Sequence, residues 1–292
     1  MCFRISTGSE GKAMRNSEKT GYVLGSAEEL NLQKTFECGQ CFRWSLGENG
    51  VYFGAAGDKC LKIWQEGGQI ICNAENGDIS FWRNYFDIDT DYDDSLHCFS
   101  EPQYLKTCAD FGKGIRILRQ EPWEALCSFI ISQCNNIPRI KKIISTMCSV
   151  FGEEIGCGLY SFPRPEKLAA LSEGDLAPLR CGYRAAYILN AARAVCEGSL
   201  NFEELSTMPS EEAFAEVKKI HGIGDKVANC FMLYGLHRMD RFPIDVWMKR
   251  ALERHFPKNY DPSVLGPYAG LAQQYIFYYA RTSEGRNNFE CS

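Results

Sequence analysis

Residues 209–250 read PSEEAFAEVKKIHGIGDKVANCFMLYGLHRMDRFPIDVWMKR, and this stretch limits the possible folds most tightly. It predicts a helix, a tight glycine hairpin, a second helix, a loop and the start of a third helix. Ser210 suits an N-cap, with Glu211 and Glu212 in the first turn and Lys218 and Lys219 in the last, an order that complements the helix dipole at both ends. Phe214, Val217 and Ile220 form the apolar stripe of the first helix. Gly222 and Gly224 supply a turn where a side chain is expected to be costly. Asp225 is expected to cap the second helix, whose inner face is Val227, Cys230, Phe231 and Tyr234.

Two positions here carry chemistry. Lys226 opens the second helix, and the partial positive charge at a helix N-terminus disfavours an ammonium and favours the nucleophilic amine. Cys230 falls on the same face, one turn on. Pro243 and Asp245 mark another helix start, where the dipole holds a carboxylate charged. The glycine hairpin presents backbone N–H groups that can cradle a phosphate without reading sequence. Taken singly, each feature also has a plain structural explanation: a solvated lysine, a capping aspartate, an ordinary turn. Their order and spacing together argue for a site.

A chain of 292 residues, 45% hydrophobic, can bury cores for two or three domains. Its net charge of −5 excludes a generally basic nucleic-acid binder, so DNA would need a local basic face, with affinity falling as salt rises. The first residues lack an apolar segment, so no secretory signal is expected, and no run approaches the length of a membrane span. These features predict an intracellular monomer with no membrane partner. Fifteen cysteines in such a chain are expected to be free thiols. Cys38 and Cys41 form a CxxC without a second pair, and His97, His221, His237 and His255 have no ligand spacing, so no metal site is expected.

Residues 1–20 are polar and read as an arm. Residues 21–115 read as an antiparallel β-sheet domain with linker helices. CFRWS, GVYFGAA, CLKIWQ and QIICNA are its short apolar-aromatic runs, separated by glycine-rich hairpin signals. DISFWRNYF reads as a helix, and the acidic DIDTDYDD after it as a solvated linker. Residues 116–292 read as helical, with PWEALCSFIISQC a buried helix, a break at Asn135 and Asn136, and further helices after it. The hairpin motif occupies 209–237 and the Pro-Asp loop 238–250. The fold class is thus α+β: an N-terminal antiparallel sheet followed by an all-α body.

IHGIGDKVANC followed by FPIDVWMKR resembles the helix-hairpin-helix motif and Gly/Pro-rich loop with trailing Asp of the DNA glycosylase superfamily. With FECGQCFRW, ISQCNNIPRI, CGYRA and GPYAGLAQQYIF, in that order, the chain from about Leu30 to Arg281 is similar to the 8-oxoguanine DNA glycosylase family. The resemblance implies a bifunctional enzyme acting on duplex DNA that contains oxidised guanine. Lys226 matches the nucleophile that displaces the base and forms a Schiff base with the sugar, before β-elimination cuts the strand. Asp245 matches the assisting carboxylate.

The flipped base would be met by four residues: Gly39 through its carbonyl at ring nitrogen 7, Gln273 at the pairing edge, and Phe277 and Cys230 on opposite faces. Asn136, Arg139, Tyr183 and Arg184 match residues handling the opposite strand, and Gly222 and Gly224 match the phosphate-cradling turn. The resemblance implies no redox cofactor and no catalytic metal; an ion on the hairpin carbonyls would be structural. Some relatives carry an iron–sulfur cluster, but Cys291 is the only cysteine after Cys230.

Two departures from the family pattern stand out. Cys134 replaces the first of three consecutive Asn, which bears on the choice of opposite base. Trp247 replaces a His two positions after the Asp, which bears on contacts to the 5′ phosphate. Two alternatives remain at this level: an alkylated-base glycosylase, for which Lys226 is unneeded, and a non-catalytic helix-hairpin-helix DNA-binding protein.

Overall fold

The structure, a computed structural model, describes residues 21–284 apart from positions 94, 96, 97, 100 and 101. The expected arm at 1–20, His97 and Cys291 lie outside the described residues.

The four apolar-aromatic runs form strands, joined by a fifth. β1 (Tyr22–Ser26), β2 (Trp44–Leu46), β3 (Tyr52–Ala56), β4 (Lys59–Glu66) and β5 (Gln69–Cys72) make an antiparallel sheet in the order β1-β5-β4-β3-β2. Register is set where Ile63 faces Tyr52 on one side and Cys72 on the other, all buried. A short helix that the runs did not reveal, α1 (Leu32–Glu37), is capped by Asn31, whose Oδ1 accepts from Lys34 N at 3.0 Å. It drives Phe36 against Trp44, with ring centroids 4.3 Å apart. Six residues are too few for a periodic signal, so this helix exists through packing rather than propensity. The DISFWRNYF segment forms α2 (Ile79–Tyr85) as expected, and Tyr85 Oη accepts from Trp44 Nε1 at 3.0 Å.

The helical body comprises α3 (Gln103–Gly112), α4 (Pro122–Ser132), α5 (Ile137–Phe151), α6 (Pro165–Ala169), α7 (Arg184–Cys196), α8 (Phe202–Thr207), α9 (Ser210–Lys218), α10 (Asp225–Tyr234), α11 (Val246–His255) and α12 (Ala269–Tyr279). Buried on nearly every face, α4 starts at Pro122 with the Glu121 carboxylate accepting from Trp123 N at 3.1 Å and Glu124 N at 2.7 Å. Against the expectation of helix throughout, a two-stranded hairpin pairs β6 (Glu154–Gly156) with β7 (Leu159–Tyr160). Gly156, Cys157 and Gly158 all take positive φ there, a turn that a helix cannot include. The sheet meets this body through a buried ion pair, Arg43 Nη1 to Glu124 Oε2 at 2.7 Å.

In the acidic segment after α2, Asp89, Asp91 and Asp93 are exposed as the charge suggested, but Asp87 is not. Asp87 is 3% exposed and accepts hydrogen bonds from Arg119 Nε, Thr90 Oγ1 and Tyr92 Oη, each at 2.8 Å. His237 Nε2, just beyond the end of α10, lies 3.5 Å from its other oxygen. Burial alone would raise this carboxyl, but the His237, Thr90 and Tyr92 contacts outweigh it and hold the pKa at about 2. One carboxylate thereby ties the segment after the sheet to the helical hairpin. The thirteen described cysteines are free thiols, and no described helix is long and apolar enough to cross a membrane.

Candidate active site

The hairpin folds as expected, with three local corrections. Ser210 lies inside α9 rather than capping it, because the buried Arg241 takes its hydroxyl, Nε to Oγ at 3.0 Å. Gly224, not Asp225, occupies the cap position of α10, and the Asp225 carboxylate instead pairs with Lys218 Nζ at 2.5 Å. The two glycines also differ. Gly222 has φ +96°, and a Cβ there would sit 2.2 Å from the Tyr187 ring. Gly224 has φ −94° and open space where a Cβ would go, so only the first position demands glycine. Gly222→Ala is therefore expected to cost about 2 kcal/mol or more of stability, and Gly224→Ala far less, as read by thermal melting of the two variants.

Lys226 enters the cleft from the first turn of α10. Its Nζ donates to Ser132 Oγ at 2.8 Å and lies 5.2 Å from the centroid of the Phe129 ring, both on α4. Asp245 caps α11, its Oδ1 accepting from Trp247 N and Met248 N, each at 2.9 Å. Two helix N-termini thus bring an amine and a carboxylate to one cleft of about 350 Å3, which Gly39, Asn136, Trp247 and Phe277 also line. A narrow inner lobe of about 40 Å3 is walled by Gly39, Cys230, Gln273 and Phe277, with Lys226 and Asp245 at its edge. Burial raises the Cys230 thiol; the Lys226 charge opposes this and the Asp245 charge adds to it, so the wall stays a neutral thiol.

Gly39 sits in a rigid loop. Its φ of +83° favours glycine, and a Cβ there would press on the Phe277 ring, 3.0 Å from Cε1. The carbonyl before it, on Cys38, accepts from Gln274 Nε2 at 2.9 Å, and the one after it, on Gln40, accepts from Gln120 Nε2 at 2.8 Å. The Gln40 side chain donates to the Arg116 carbonyl at 2.7 Å and accepts from Leu118 N at 2.9 Å. Among the described residues no donor reaches the Gly39 carbonyl itself. The loop is thus clamped on both sides of one open acceptor.

Of the remaining predicted residues, Asn136 lines the cleft, while Arg139, Tyr183 and Arg184 lie outside its walls. Asn136 caps α5, its Oδ1 accepting from Arg139 N at 3.0 Å, and Arg139 is exposed with Nη2 on the Arg180 carbonyl at 3.2 Å. Tyr183 is half exposed and meets Tyr187 edge-on at 5.5 Å. Arg184 is buried, and its guanidinium is engaged by the carbonyls of Gln133, Cys134 and Cys181. In this conformation it braces the turn that presents Cys134 and Asn136. Gln133 Nε2 reaches the Gly222 carbonyl at 3.3 Å, joining this turn to the hairpin.

Sequence reasoning missed three contributors: Ser132, Phe129 and Gln274. The signal for the first was a hydroxyl on an otherwise apolar helix. For the last it was a pair of adjacent amides inside a buried aromatic helix, since buried amides must find partners.

A lysine and an aspartate at facing helix mouths, behind a glycine hairpin and on an α+β frame, define a helix-hairpin-helix base excision DNA repair protein. "8-oxoguanine DNA glycosylase, N-terminal domain" matches residues 23–126, and "HhH-GPD superfamily base excision DNA repair protein" matches residues 127–264. The chain is 31% identical to the N-glycosylase/DNA lyase of Saccharomyces cerevisiae, over 82% of this chain and 72% of that protein. It is 30% identical to the N-glycosylase/DNA lyase OGG1 of Arabidopsis thaliana, over 85% and 77%. The crystal structure of Clostridium acetobutylicum 8-oxoguanine glycosylase/lyase, bound to dsDNA with cytosine opposite 8-oxoG, superposes with a TM-score of 0.82 at 36% identity, covering 89% of this chain and 93% of that one. The chain belongs to the 8-oxoguanine DNA glycosylase family of this superfamily.

Proposed function

We infer that the protein excises 8-oxoguanine from duplex DNA and then nicks the strand, with Lys226 as nucleophile. The observation that carries the role of Lys226 is its convergence with Asp245 at the mouth of a lobe walled by Gly39, Cys230, Gln273 and Phe277. The amine, once deprotonated, attacks C1′ of the flipped nucleotide. The C1′–N9 bond breaks and its electron pair leaves with the base. Ring opening gives an imine between Lys226 and the sugar. Loss of a C2′ proton then expels the 3′ phosphate by β-elimination. Positive charge develops on the sugar ring oxygen as the base departs, and the Asp245 carboxylate stabilises it.

The inner lobe holds about one water's volume of space, so Phe277 has to turn away from Gly39 before a purine can enter. The Gly39 carbonyl then accepts from N7–H of the oxidised base, whereas guanine would oppose it with a lone pair. An unpaired buried acceptor costs about 1–3 kcal/mol.

Asp245→Asn separates charge from architecture. The amide oxygen can still cap α11, so the melting temperature is expected to hold while single-turnover excision falls by about 10²- to 10³-fold. Equal excision in that variant would remove the carboxylate from the mechanism.

The function itself is tested on a duplex with a single 8-oxoguanine opposite cytosine, following free base and strand cleavage together. Release of both from this duplex is expected. Release of an alkylated base without a nick would favour the alkylated-base reading, and binding without release would favour a non-catalytic DNA-binding protein.

A further inference from the structure

Gln273 and Gln274 converge on one phenol. Tyr234 Oη lies 3.0 Å from Gln273 Oε1 and 2.8 Å from Gln274 Oε1, and all three side chains are buried. A phenol carries a single hydrogen, so it cannot satisfy two carbonyl oxygens fully. The orientation of Gln274 is fixed independently. Its Nε2 faces the Cys38 carbonyl at 2.9 Å, and a carbonyl can only accept. Gln274 therefore keeps Oε1 on Tyr234 and takes the phenolic hydrogen. Burial raises the Tyr234 hydroxyl well above its ordinary value, and the Asp245 carboxylate adds to this, so the phenol keeps its hydrogen.

What remains on Tyr234 is a lone pair. The Gln273 amide satisfies it by turning half a revolution about its last torsion, a rotation that exchanges N and O without moving other atoms. Nε2 then faces Tyr234, and the carbonyl faces the inner lobe that Gln273 lines.

We propose that Tyr234 and Gln274 form a one-way hydrogen-bond relay that makes Gln273 present an acceptor to the flipped base, selecting bases with donors at N1 and C2 of the pairing edge. A guanine-type edge carries N1–H and a 2-amino group, both donors. An adenine-type edge has a lone pair at N1 and no 2-amino group, and its one donor, the 6-amino group, sits at the O6 position, so at N1 and C2 it meets the Gln273 carbonyl with repulsion and no donor. Tyr234 and Gln274 are positioning residues: they act on the base only through Gln273. The relay deepens the proposed function and rests on it, since it assumes that Gln273 meets the pairing edge of 8-oxoguanine.

8-Oxoadenine isolates the relay. It keeps the C8 oxygen and the N7 hydrogen that the Gly39 carbonyl would read, and differs only along the pairing edge. Single-turnover excision is measured on otherwise identical duplexes carrying 8-oxoguanine or 8-oxoadenine, with the wild type, Tyr234→Phe and Gln274→Met. Tyr234→Phe frees the Gln273 amide to turn, and Gln274→Met releases the phenolic hydrogen to Gln273. In both variants the preference for 8-oxoguanine over 8-oxoadenine is expected to shrink by about 10- to 100-fold.

A merely structural role would slow both substrates in parallel and leave the ratio unchanged, and that result would overturn the relay while leaving the functional reading standing. A wild type inert on 8-oxoguanine would overturn the functional reading and the relay with it.

Discussion

Lys226→Gln is expected to bind lesion DNA within a few-fold of the wild type, yet to lose about 10³-fold or more in single-turnover excision and to form no nick. The reasoning is local. The Lys226 side chain donates to Ser132 Oγ and stands against the Cys230 thiol, and the Ser132 hydroxyl keeps its own bond to the Phe129 carbonyl at 2.8 Å. Glutamine can lie in the same space and leaves the hairpin, the Asp245 cap and the base lobe unaltered. The variant therefore removes the nucleophile and little else. Parallel melting curves and DNA titrations check that the fold and the interface survive. Excision by the variant at wild-type rate would leave the amine without a role.

Asp87→Ala carries the largest expected effect on stability, although it lies outside the catalytic cleft. The substitution leaves Arg119, Thr90, Tyr92 and His237 without their shared acceptor, and the side chain it removes is only 2% exposed. Breaking a buried charge cluster in this way costs about 3–5 kcal/mol, which lowers Tm by roughly 5–8 °C in a chain of this size.

The same carboxylate gives a pH signature. Its folded pKa of about 2 lies below the ordinary 3.8, so its stabilising contribution is complete above pH 3.8 and is lost as pH falls towards 2. The contribution is about 2 kcal/mol. Denaturant titrations of the wild type and Asp87→Ala are expected to draw closer by about 2 kcal/mol between pH 4 and pH 2. Curves that stay parallel across that interval would show that Asp87 is not the titrating group. The consequence reaches the active site, because His237 lies at the far end of the motif that carries Lys226.

The chain of inference from residue pattern to site held where local rules decide structure. The helical hairpin, the capping Asp245 and the inner face Val227, Cys230, Phe231 and Tyr234 all depend on capping, glycine turns and helical period, which a sequence displays directly. It failed where distant partners decide. Asp87 looked solvated like the exposed aspartates after it because nothing local says that Arg119 and His237 converge on it. Ser210 looked like a cap because nothing local says that Arg241 takes its hydroxyl. The contacts of Arg184 to three backbone carbonyls were likewise invisible, because they depend on how the 133–134 turn folds back on α7. The clamping of Gly39 by Gln120 and Gln274 joins positions 39, 120 and 274, a separation that no periodicity spans. The base pocket is therefore legible as a set of residue types through a resemblance, while its polarity is visible only in three dimensions.

The central claim is a covalent bond between one lysine and deoxyribose. Borohydride reduction during turnover on 8-oxoguanine duplex, followed by peptide mapping of the adduct, tests it most directly. The account predicts a single reduced DNA adduct on the peptide containing Lys226, absent from Lys226→Gln. Strand cleavage with an adduct on a different lysine, or with the adduct undiminished in Lys226→Gln, would contradict it.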